Sequence, residues 1–426
     1  MQIQHLLEIQ KIITGGMGLA RLENGMVAMV PHVLPGELVE VEETKQHRGY
    51  VEASVLRIIR FSPDRRPPRC ELFGRCGGCH LQHAVYAAQL AAKEGIVEEM
   101  LARAGLEPVR GMAPILTAPQ TMRYRHKLRL HMGRNGQIGF HQAKSNTLVP
   151  VCRCLLACDP INDALARLAA MDLGDSFAEL ELLCSPVDQG VAAIFRLKKK
   201  RQQVAEKQLA RIQEQSGLAS IALRRGRAIE AVGDWFTLRQ DFSVAEQEYA
   251  LAWDCRSFFQ VNPTQNEQLV RLVLQLTGEV SGKSVLDLYC GMGNFSIPLA
   301  LAGAEVHGVE VNPHAIRAAA DNAERAGLAD RARFTSMPVE KFVCTAIKTG
   351  PEFVLIDPPR QGLGRAASRI AGLGAARIVY ISCDPATLIR DLKIITERGY
   401  ALTSLQPVDM FPQTSHIESV ALLEKN

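Results

Sequence analysis

The 426-residue chain lacks the features that mark membrane-spanning and exported proteins. No apolar run approaches the roughly 18 residues that a membrane-crossing helix needs. The opening segment, MQIQHLLEIQ, has neither the basic start nor the apolar stretch of a signal peptide. Only 5% of the residues are aromatic, and there is no internal repeat or low-complexity tract. These absences argue against membrane, fibrous and disordered classes and predict a soluble cytoplasmic protein.

The excess of positive over negative charge is small. The chain has 49 Lys and Arg against 45 Asp and Glu, and this net charge of +4 does not by itself indicate a nucleic-acid partner. The positions of the cations are more informative. In MRYRHKLRL, basic residues recur at every second position, which on a strand would place all of them on one face: Arg123, Arg125, Lys127 and Arg129. Like charges on one face repel unless an anion lies among them, so this face is a candidate RNA phosphate contact. The alternative is an ordinary solvated surface.

Eleven cysteines, an odd number in a chain expected to be cytoplasmic, argue against a disulfide framework and for metal-binding or catalytic roles. The stretch CELFGRCGGCHLQH places Cys70, Cys76 and Cys79 on a glycine-rich loop. Three thiolates need a fourth ligand. A zinc site would take His80 or His83, whereas an iron–sulfur cluster would take a distant cysteine. The spacing alone leaves both metals open.

Turn residues and apolar periodicity divide the chain into three predicted domains. Short strands about every ten residues through 1–60 predict a small β-barrel. Residues 61–254 predict a mixed α/β domain with an alanine-rich helix over 85–106, which we expect to pack on the last domain. From 255 to 426, continuous apolar strands alternate with helices, which predicts a parallel, doubly wound sheet covered on both faces.

A cofactor site is predicted where VLDLYCGMGNFSIPLA passes from a strand through a glycine turn into a helix. Dinucleotide binding is the alternative, but Ser296 stands where the third glycine of that fingerprint is required. Acidic residues close the first, second and fourth strands of this domain: Asp287, Glu310 and Asp357. This arrangement resembles class I methyltransferases that bind S-adenosylmethionine (SAM).

A thiol lies at the end of the predicted fifth strand, in VYISCDPATL. Cys383 falls at the edge where open α/β sheets bind ligands, and the amide dipoles of the following helix are expected to lower its pKa and favour a nucleophilic thiolate. The alternative is a small buried hydrophobe. Two residues at the start of the last strand, His416 and Glu418, share one face and offer a general base, although such a carboxylate can also be simply exposed.

A family resemblance covers nearly all of 255–426. The motifs FFQVNPTQN, DLYCGMGNF, DPPRQGL, YISCDPATL and DMFPQTSHIE, in this order, closely resemble those of RNA 5-methyluridine methyltransferases. The resemblance implies that Cys383 is the nucleophile and Glu418 the general base, and that Phe258 lies near a flipped-out base. It implies SAM contacts from Gln260, Tyr289, Asn294, Glu310 and Asp357, with Asp287 close by. Two positions depart from the family: Gln413 replaces the usual histidine and is expected to be peripheral, and Pro338 replaces a polar SAM contact.

The fourth-strand motif separates uracil from other target bases. RNA 5-methylcytosine enzymes typically carry a second cysteine there, and adenine-N6 enzymes carry an aromatic residue after the paired prolines. Here the motif is DPPR, with Arg360 after the prolines and no thiol. Uracil is therefore favoured over cytosine and adenine. A hypothesis of another class, a non-catalytic RNA-binding module with a vestigial SAM pocket, predicts RNA binding without methyl transfer.

The amino-terminal part carries a second layer of resemblance. The C-x5-C-x2-C spacing resembles the 5-methyluridine enzymes of 23S ribosomal RNA, which implies a [4Fe-4S] cluster with Cys154 as fourth ligand and Cys152 or Cys158 as alternatives. The C-x3-C-x2-C pattern of radical-SAM enzymes is absent, so a structural or RNA-shaping role is expected. The barrel resembles the TRAM domain. Together these parts favour 23S ribosomal RNA over transfer RNA, whose enzyme usually lacks both, and we expect a monomer without a stable protein partner.

Overall fold

The computed structural model describes residues 4–244, 246–345 and 350–426. The amino-terminal part is a six-stranded sheet in the order β1-β5-β6-β4-β3-β2. Its inward positions alternate with exposed ones and enclose a small aliphatic core that includes Val30, Val39 and Val51. The strands are β1 (Gln4–Glu8), β2 (Lys11–Ile13), β3 (Met17–Arg21), β4 (Val27–Pro31), β5 (Leu38–Gln46) and β6 (Tyr50–Arg60). The barrel-like region predicted over 1–60 is thus confirmed as a β-structure.

The central part combines one long helix with a second sheet. Helix α1 (Tyr86–Ala104) ends at Gly105, whose φ of 65° lies in the left-handed region that terminates helices. It packs against a helix (Pro385–Thr396) and a strand (Tyr400–Val408) of the last domain. The sheet order is β13-β12-β11-β10-β7-β8-β9. Its elements are β7 (Lys127–Met132), β8 (Ile138–His141), β9 (Leu148–Pro150), α2 (Asp159–Ala169), β10 (Phe177–Cys184), β11 (Val191–Leu197), α3 (Glu206–Ser216), β12 (Ser220–Arg225) and β13 (Ala228–Val232).

The carboxyl-terminal part is a seven-stranded sheet in the order β18-β17-β16-β19-β20-β22-β21, flanked by helices. Its core is continuous with that of a preceding hairpin, β14–β15. The elements are β14 (Leu238–Val244), β15 (Gln247–Trp253), α4 (Pro263–Thr277), β16 (Ser284–Leu288), α5 (Ser296–Leu301), β17 (Glu305–Glu310), α6 (Pro313–Arg325), β18 (Ala332–Ser336), α7 (Val339–Phe342), β19 (Phe353–Ile356), α8 (Ala366–Ala371), β20 (Arg377–Ser382), α9 (Pro385–Thr396), β21 (Tyr400–Val408) and β22 (Glu418–Lys425).

The expectation of a fully parallel sheet is wrong for one strand. β22 pairs antiparallel with both β20 and β21. The other neighbouring pairs are all parallel: β18–β17, β17–β16, β16–β19 and β19–β20. The chain reaches β22 through the short segment 409–417 and not through a helical crossover, so it must reverse direction. This reversal brings the segment 409–417 to the carboxyl edge of the sheet, where the predicted ligand-binding residues lie.

A buried ion pair joins the central helix to that segment. Lys93 of α1 donates to Asp409 Oδ1 at 2.5 Å and to the Phe411 carbonyl at 3.1 Å, and both side chains are almost fully buried. Tyr86 Oη donates to the other oxygen of Asp409 at 2.8 Å. Because a buried charge without its partner is strongly unfavourable, this contact fixes α1 against the segment before β22. No helix in the described part of the chain is both long and apolar enough to cross a membrane.

We expect Lys93→Met to lower the free energy of unfolding by about 3–5 kcal/mol, since it leaves the Asp409 carboxylate buried without its cation. Lys11→Met is the matched control, because Lys11 pairs with Glu99 at a partly exposed site and should cost about 0–1 kcal/mol. Urea denaturation followed by circular dichroism measures both values. An equal decrease in the free energy of unfolding for the two variants would contradict a stabilising role for the Lys93–Asp409 pair.

Candidate active site

Three acidic residues converge at the carboxyl edge of the last sheet. Asp287 lies on β16, Glu310 ends β17, and Asp357 follows β19 directly. These three strands are neighbours in the sheet, in the order β17-β16-β19. Because the carboxyl ends of parallel strands meet at one edge, the residues predicted from sequence to close the strands do lie together there.

The carboxylates at this edge are held in an environment that disfavours their charge. Asp287 is fully buried, and burial, with the nearby Glu310, raises its pKa to about 7, although a hydrogen bond from Ser296 Oγ at 2.5 Å opposes the shift. Its other oxygen, Oδ1, has no hydrogen-bond partner among the described residues. Burial and Asp287 also raise the pKa of Asp357 to about 7. A site with this many clustered carboxyl groups favours a cationic ligand.

The glycine turn after β16 has an unusual backbone. Tyr289, Gly291 and Gly293 have φ values of 64°, 54° and 91°, and a non-glycine residue in that region stores strain of about 1–3 kcal/mol. The Tyr289 hydroxyl donates to Glu340 at 3.0 Å. Asn294 exchanges two amide hydrogen bonds with Asn266, at 2.8 and 3.0 Å. The turn is therefore rigidly shaped before any ligand binds.

Two further residues predicted to contact SAM are Gln260 and Glu310. Gln260 is buried, and the Glu310 carboxylate accepts a hydrogen bond from the backbone of Asn312 at 2.8 Å. Pro338 caps α7, next to the Met337 backbone that donates to the Glu310 carbonyl at 2.9 Å. Their contacts to SAM stay predictions, because the geometry fixes where they lie and not what they bind.

The predicted nucleophile and base lie where two paired strands reach the ligand-binding edge. The antiparallel register of β20 and β22 ends with Ser382 opposite Ser419. Cys383 directly follows β20, and Glu418 is the first residue of β22. The Glu418 carboxyl group is close enough to contribute to the raised pKa of Cys383. The fold therefore brings a thiol and a carboxyl group to the same edge of the sheet.

The electrostatics of the thiol contradict the sequence expectation. Burial raises the pKa of Cys383 to about 12, with further contributions from Glu418 and Asp357, while Arg360 acts in the opposite direction. Desolvation and the two acidic neighbours act against the lowering that was expected from the start of helix α9 at Pro385. A thiol with so high a pKa is a thiolate only in a small fraction of molecules at neutral pH.

Glu418, and not His416, has the properties of a base in this pocket. Glu418 is only 2% exposed, so the alternative of a solvated strand-start carboxylate is wrong. Burial, with Asp357, raises its pKa well above the usual value, while Arg360 opposes the shift. Burial and nearby cations lower the pKa of His416 to about 4, which makes its neutral ring a weak proton acceptor. Once it is ionised, a carboxylate with a raised pKa is a stronger base than an ordinary one.

The prediction that Gln413 is peripheral is wrong. It is fully buried with a φ of 69°, and its carbonyl accepts hydrogen bonds from the backbones of His80 and Leu81, both at 3.0 Å. Its side-chain oxygen accepts from Arg66 at 3.2 Å and from Gln89 at 3.0 Å. The cysteine loop and α1 therefore hold the segment that leads into Glu418.

The predicted basic face does not form as one strand. β7 begins only at Lys127, and Arg123 sits in a turn with a φ of 56°. Arg125 makes an isolated bridge with Ala157 before the strand begins. The alternating pattern extends across a turn, where alternation no longer places side chains on one face.

The anions that the alternating pattern seemed to require are supplied by the protein itself. Lys127 pairs with Glu181 at 3.1 Å and Arg129 pairs with Glu179 at 2.8 Å, both on the neighbouring β10. Arg123 pairs with Asp159 at 3.2 Å. Arg196 and Arg224 add cations to the same two glutamates, so the sheet face keeps a positive excess. These acidic residues were invisible to the sequence argument because they lie about 50 residues further along the chain.

The four cysteines predicted as metal ligands line one cavity of about 60 Å³, which is also lined by Arg125. They are Cys70, Cys76, Cys79 and Cys154. The two alternatives for the fourth position lie elsewhere: Cys152 is exposed, and Cys158 is buried beside Cys184. The Gln82 amide donates to the Cys79 sulfur at 3.2 Å.

Several contacts around the site have no sequence signal. His80 is hydrogen-bonded to Ser415 at 3.3 Å, and the guanidinium of Arg125 lies 5.8 Å from the centre of the Phe411 ring. Phe258 is 64% exposed, between buried neighbours, and so is available for stacking. Pairs separated by hundreds of residues can be found only from the fold.

Comparison with known proteins gives two matching families. Residues 85–426 match the family described as tRNA (Uracil-5-)-methyltransferase, and residues 8–56 match the TRAM domain. The 23S rRNA (uracil(1939)-C(5))-methyltransferases RlmD of Acidithiobacillus ferrooxidans and Aromatoleum aromaticum are each 34% identical. The matches cover 98% of this chain and 96% and 99% of those proteins.

A solved structure matches the whole chain as well. The tRNA (uracil-54, C5)-methyltransferase of Pyrococcus abyssi, in complex with S-adenosyl-L-homocysteine, aligns with a TM-score of 0.74 and 26% identity, over 99% of this chain and 100% of that one. A tRNA enzyme of the same full extent therefore exists, so the extent of the chain does not by itself separate ribosomal from transfer RNA enzymes. The expected class I methyltransferase fold with an amino-terminal TRAM domain is confirmed. The chain belongs to the tRNA (uracil-5-)-methyltransferase family of RNA-modifying enzymes.

Proposed function

We propose that this protein transfers the methyl group of SAM to carbon 5 of a uridine in RNA, most specifically in 23S ribosomal RNA. The observation that carries the proposal is that Cys383, directly after β20, and Glu418, at the start of β22, come together at the carboxyl edge of a methyltransferase sheet. Neither a thiol nor a buried carboxyl group at this place is needed by a non-catalytic RNA-binding module. Carbon 5 of uracil is too weak a nucleophile to be methylated without prior activation.

Each residue then has a defined step. The Cys383 thiolate adds to carbon 6 of a uracil flipped out of its strand, and the displaced electron pair makes carbon 5 nucleophilic. Carbon 5 takes the methyl group as its bond to the SAM sulfur breaks, which leaves S-adenosylhomocysteine. The Glu418 carboxylate removes the carbon 5 proton. The electrons restore the carbon 5–carbon 6 double bond, and the carbon–sulfur bond breaks to release the thiolate.

SAM supplies both the methyl group and a positive sulfonium charge when it is bound. A cation placed beside Asp287, Asp357 and Glu418 offsets the repulsion among their carboxyl groups and lowers the pKa of the nearby thiol. The raised pKa values of the ligand-free site are therefore consistent with a pocket shaped for a cation.

The 23S ribosomal RNA assignment is supported by the RlmD relatives at 34% identity, whereas the Pyrococcus abyssi tRNA enzyme at 26% supports the alternative. Mass spectrometry of 23S rRNA and tRNA from a deletion strain separates them. We expect one 5-methyluridine to disappear from 23S rRNA and to return when the gene is restored. Loss confined to tRNA would assign transfer RNA as the substrate.

We propose that Cys70, Cys76, Cys79 and Cys154 would hold a [4Fe-4S] cluster with a structural role. Sulfurs around a single zinc, each about 2.3 Å from the metal, lie about 3.8 Å apart. Among the described residues, no three of these four sulfurs lie within 4.8 Å of one another. The wider spacing suits a four-iron cluster, whose irons stand between the thiolates. His80, a zinc alternative, is engaged with Ser415.

The fourth ligand can be tested by iron content. We expect Cys154→Ser to lose iron and the brown colour when purified without oxygen, because its sulfur lines the cavity with the other three. Cys152→Ser is the matched control, since Cys152 is exposed and two residues away, and it should keep about four irons per chain. Iron retained by the first variant and lost by the second would reassign the ligand.

The remaining predictions follow from this function. We propose that the RNA strand passes Phe258 and the basic face carrying Arg129 and Lys127, with Arg123 and Arg125 nearer the cysteine cavity. The division into domains at 1–60, 61–254 and 255–426, the monomeric state and the cytoplasmic location stay predictions.

A further inference from the structure

We propose that His126, Cys158 and Cys184 form a zinc site, separate from the proposed iron–sulfur ligands. One potential ligand atom from each of the three side chains lies within 4.8 Å of the other two. They come from three elements: His126 precedes β7, Cys158 caps the start of α2, and Cys184 ends β10. Zinc with two thiolates and one imidazole is an established set of three protein ligands, with a fourth position for water.

The ring of His126 is held by a backbone carbonyl. Its Nδ1 lies 3.2 Å from the Tyr124 carbonyl, which can only accept a hydrogen bond, so Nδ1 carries the proton. The lone pair is then on Nε2. Metal-bound histidines commonly donate their other ring nitrogen to a backbone carbonyl in this way.

The thiols are a matched pair in an apolar setting. Both side chains belong to the hydrophobic core of the central domain, where Cys184 is fully buried and Cys158 nearly so. Two thiolates and one Zn²⁺ have no net charge. A complex without net charge is less costly to bury in an apolar core than the complex of a monovalent metal, which would carry one negative charge.

The site would act as a staple behind the iron–sulfur loop. The backbone N–H of Cys158 donates to the Arg125 carbonyl at 2.9 Å, and the backbone N–H of His126 donates to the Val261 carbonyl at 2.8 Å. Val261 follows Gln260, which lies at the predicted SAM site. Zinc would thus hold together the loop of Cys154, the start of β7 and the segment entering α4, and this support does not depend on which RNA is methylated.

Metal content of the full chain, purified without oxygen from zinc-supplemented cells, tests the proposal. We expect about one zinc per chain beside the iron, with zinc-edge X-ray absorption showing sulfur at about 2.3 Å and nitrogen at about 2.0 Å. His126→Gln and Cys184→Ser should lose the zinc and keep the iron. Cys154→Ser should do the opposite, and Cys255→Ser, another buried cysteine, should keep both.

Iron that is retained by a variant indicates that the variant has folded. His126→Gln removes one proposed ligand at a partly exposed position and leaves both buried cysteines unchanged. Absence of zinc from the wild-type chain would overturn the proposal, as would zinc retained by both variants or a Cys158–Cys184 disulfide found by mass spectrometry. Methyl transfer is measured separately, so a failed zinc test leaves the proposed reaction standing.

Discussion

Replacement of Cys383 by alanine should reduce methyl transfer by about 10⁴-fold or more, because removing a covalent nucleophile removes the whole addition pathway. SAM binding should be unchanged, since the acidic residues that close β16, β17 and β19 stay in place. Cys344→Ala is the matched control, because Cys344 is an exposed cysteine of the same domain, and it should retain full activity. Isothermal titration with S-adenosylhomocysteine and tritium transfer from labelled SAM measure the two properties.

RNA containing 5-fluorouridine tests the bond itself. Fluorine cannot leave carbon 5 as a proton does, so the methylated adduct persists and the protein–RNA species survives denaturation. Peptide mapping should place the link at Cys383 in the wild-type chain and find none in Cys383→Ala. A link at another cysteine, or methylation with no link, would overturn the nucleophile assignment.

The raised pKa of Cys383 predicts how the reactivity of its thiol depends on pH. With a pKa of about 12, the thiolate fraction rises about tenfold per pH unit through the neutral range. Alkylation of Cys383 by iodoacetamide in the ligand-free protein should therefore be slow at pH 7 and speed up about tenfold per unit to pH 9. A plateau below pH 8 would mean that the thiol pKa is not raised.

The parts of the site that could be predicted from sequence are those carried by local order. Asp287, Glu310 and Asp357 were found because each closes a strand, and parallel strands bring their ends together. Cys383 was found at the end of a strand and Glu418 at the start of one, and the family resemblance supported the roles of both. That the two residues lie near each other could not be predicted, because this requires β22 to run antiparallel beside β20.

The errors have a common physical origin in contacts distant along the chain. Glu179 and Glu181 neutralise part of the basic face, and the environment of Cys383 reverses the sign of its pKa shift. Gln413 was judged only as a departure from the histidine usual in the family, but its partners are Arg66, His80 and Gln89. The local sequence pattern predicts the secondary-structure element on which a residue lies. The contacts and the burial of its side chain depend on the packed fold.

Replacement of Glu418 by glutamine should stop the reaction after methyl transfer. The amide keeps the size of the side chain but cannot take the carbon 5 proton, so turnover should fall by about 10²–10⁴-fold, the usual contribution of a positioned base. Addition and methylation do not need this proton transfer. A covalent protein–RNA species should therefore accumulate on ordinary uridine RNA, one methyl group heavier than the simple adduct.

Glu424→Gln is the matched control, because Glu424 lies on the same strand at its far end, where it pairs with Arg377. It should turn over normally and leave no adduct. Denaturing gels and intact mass spectrometry measure both variants. Near-normal turnover by Glu418→Gln without an adduct would move the base elsewhere in the pocket. His416, with its pKa lowered to about 4, would then be poorly suited to replace it, and Asp357 would be the next carboxyl group to test.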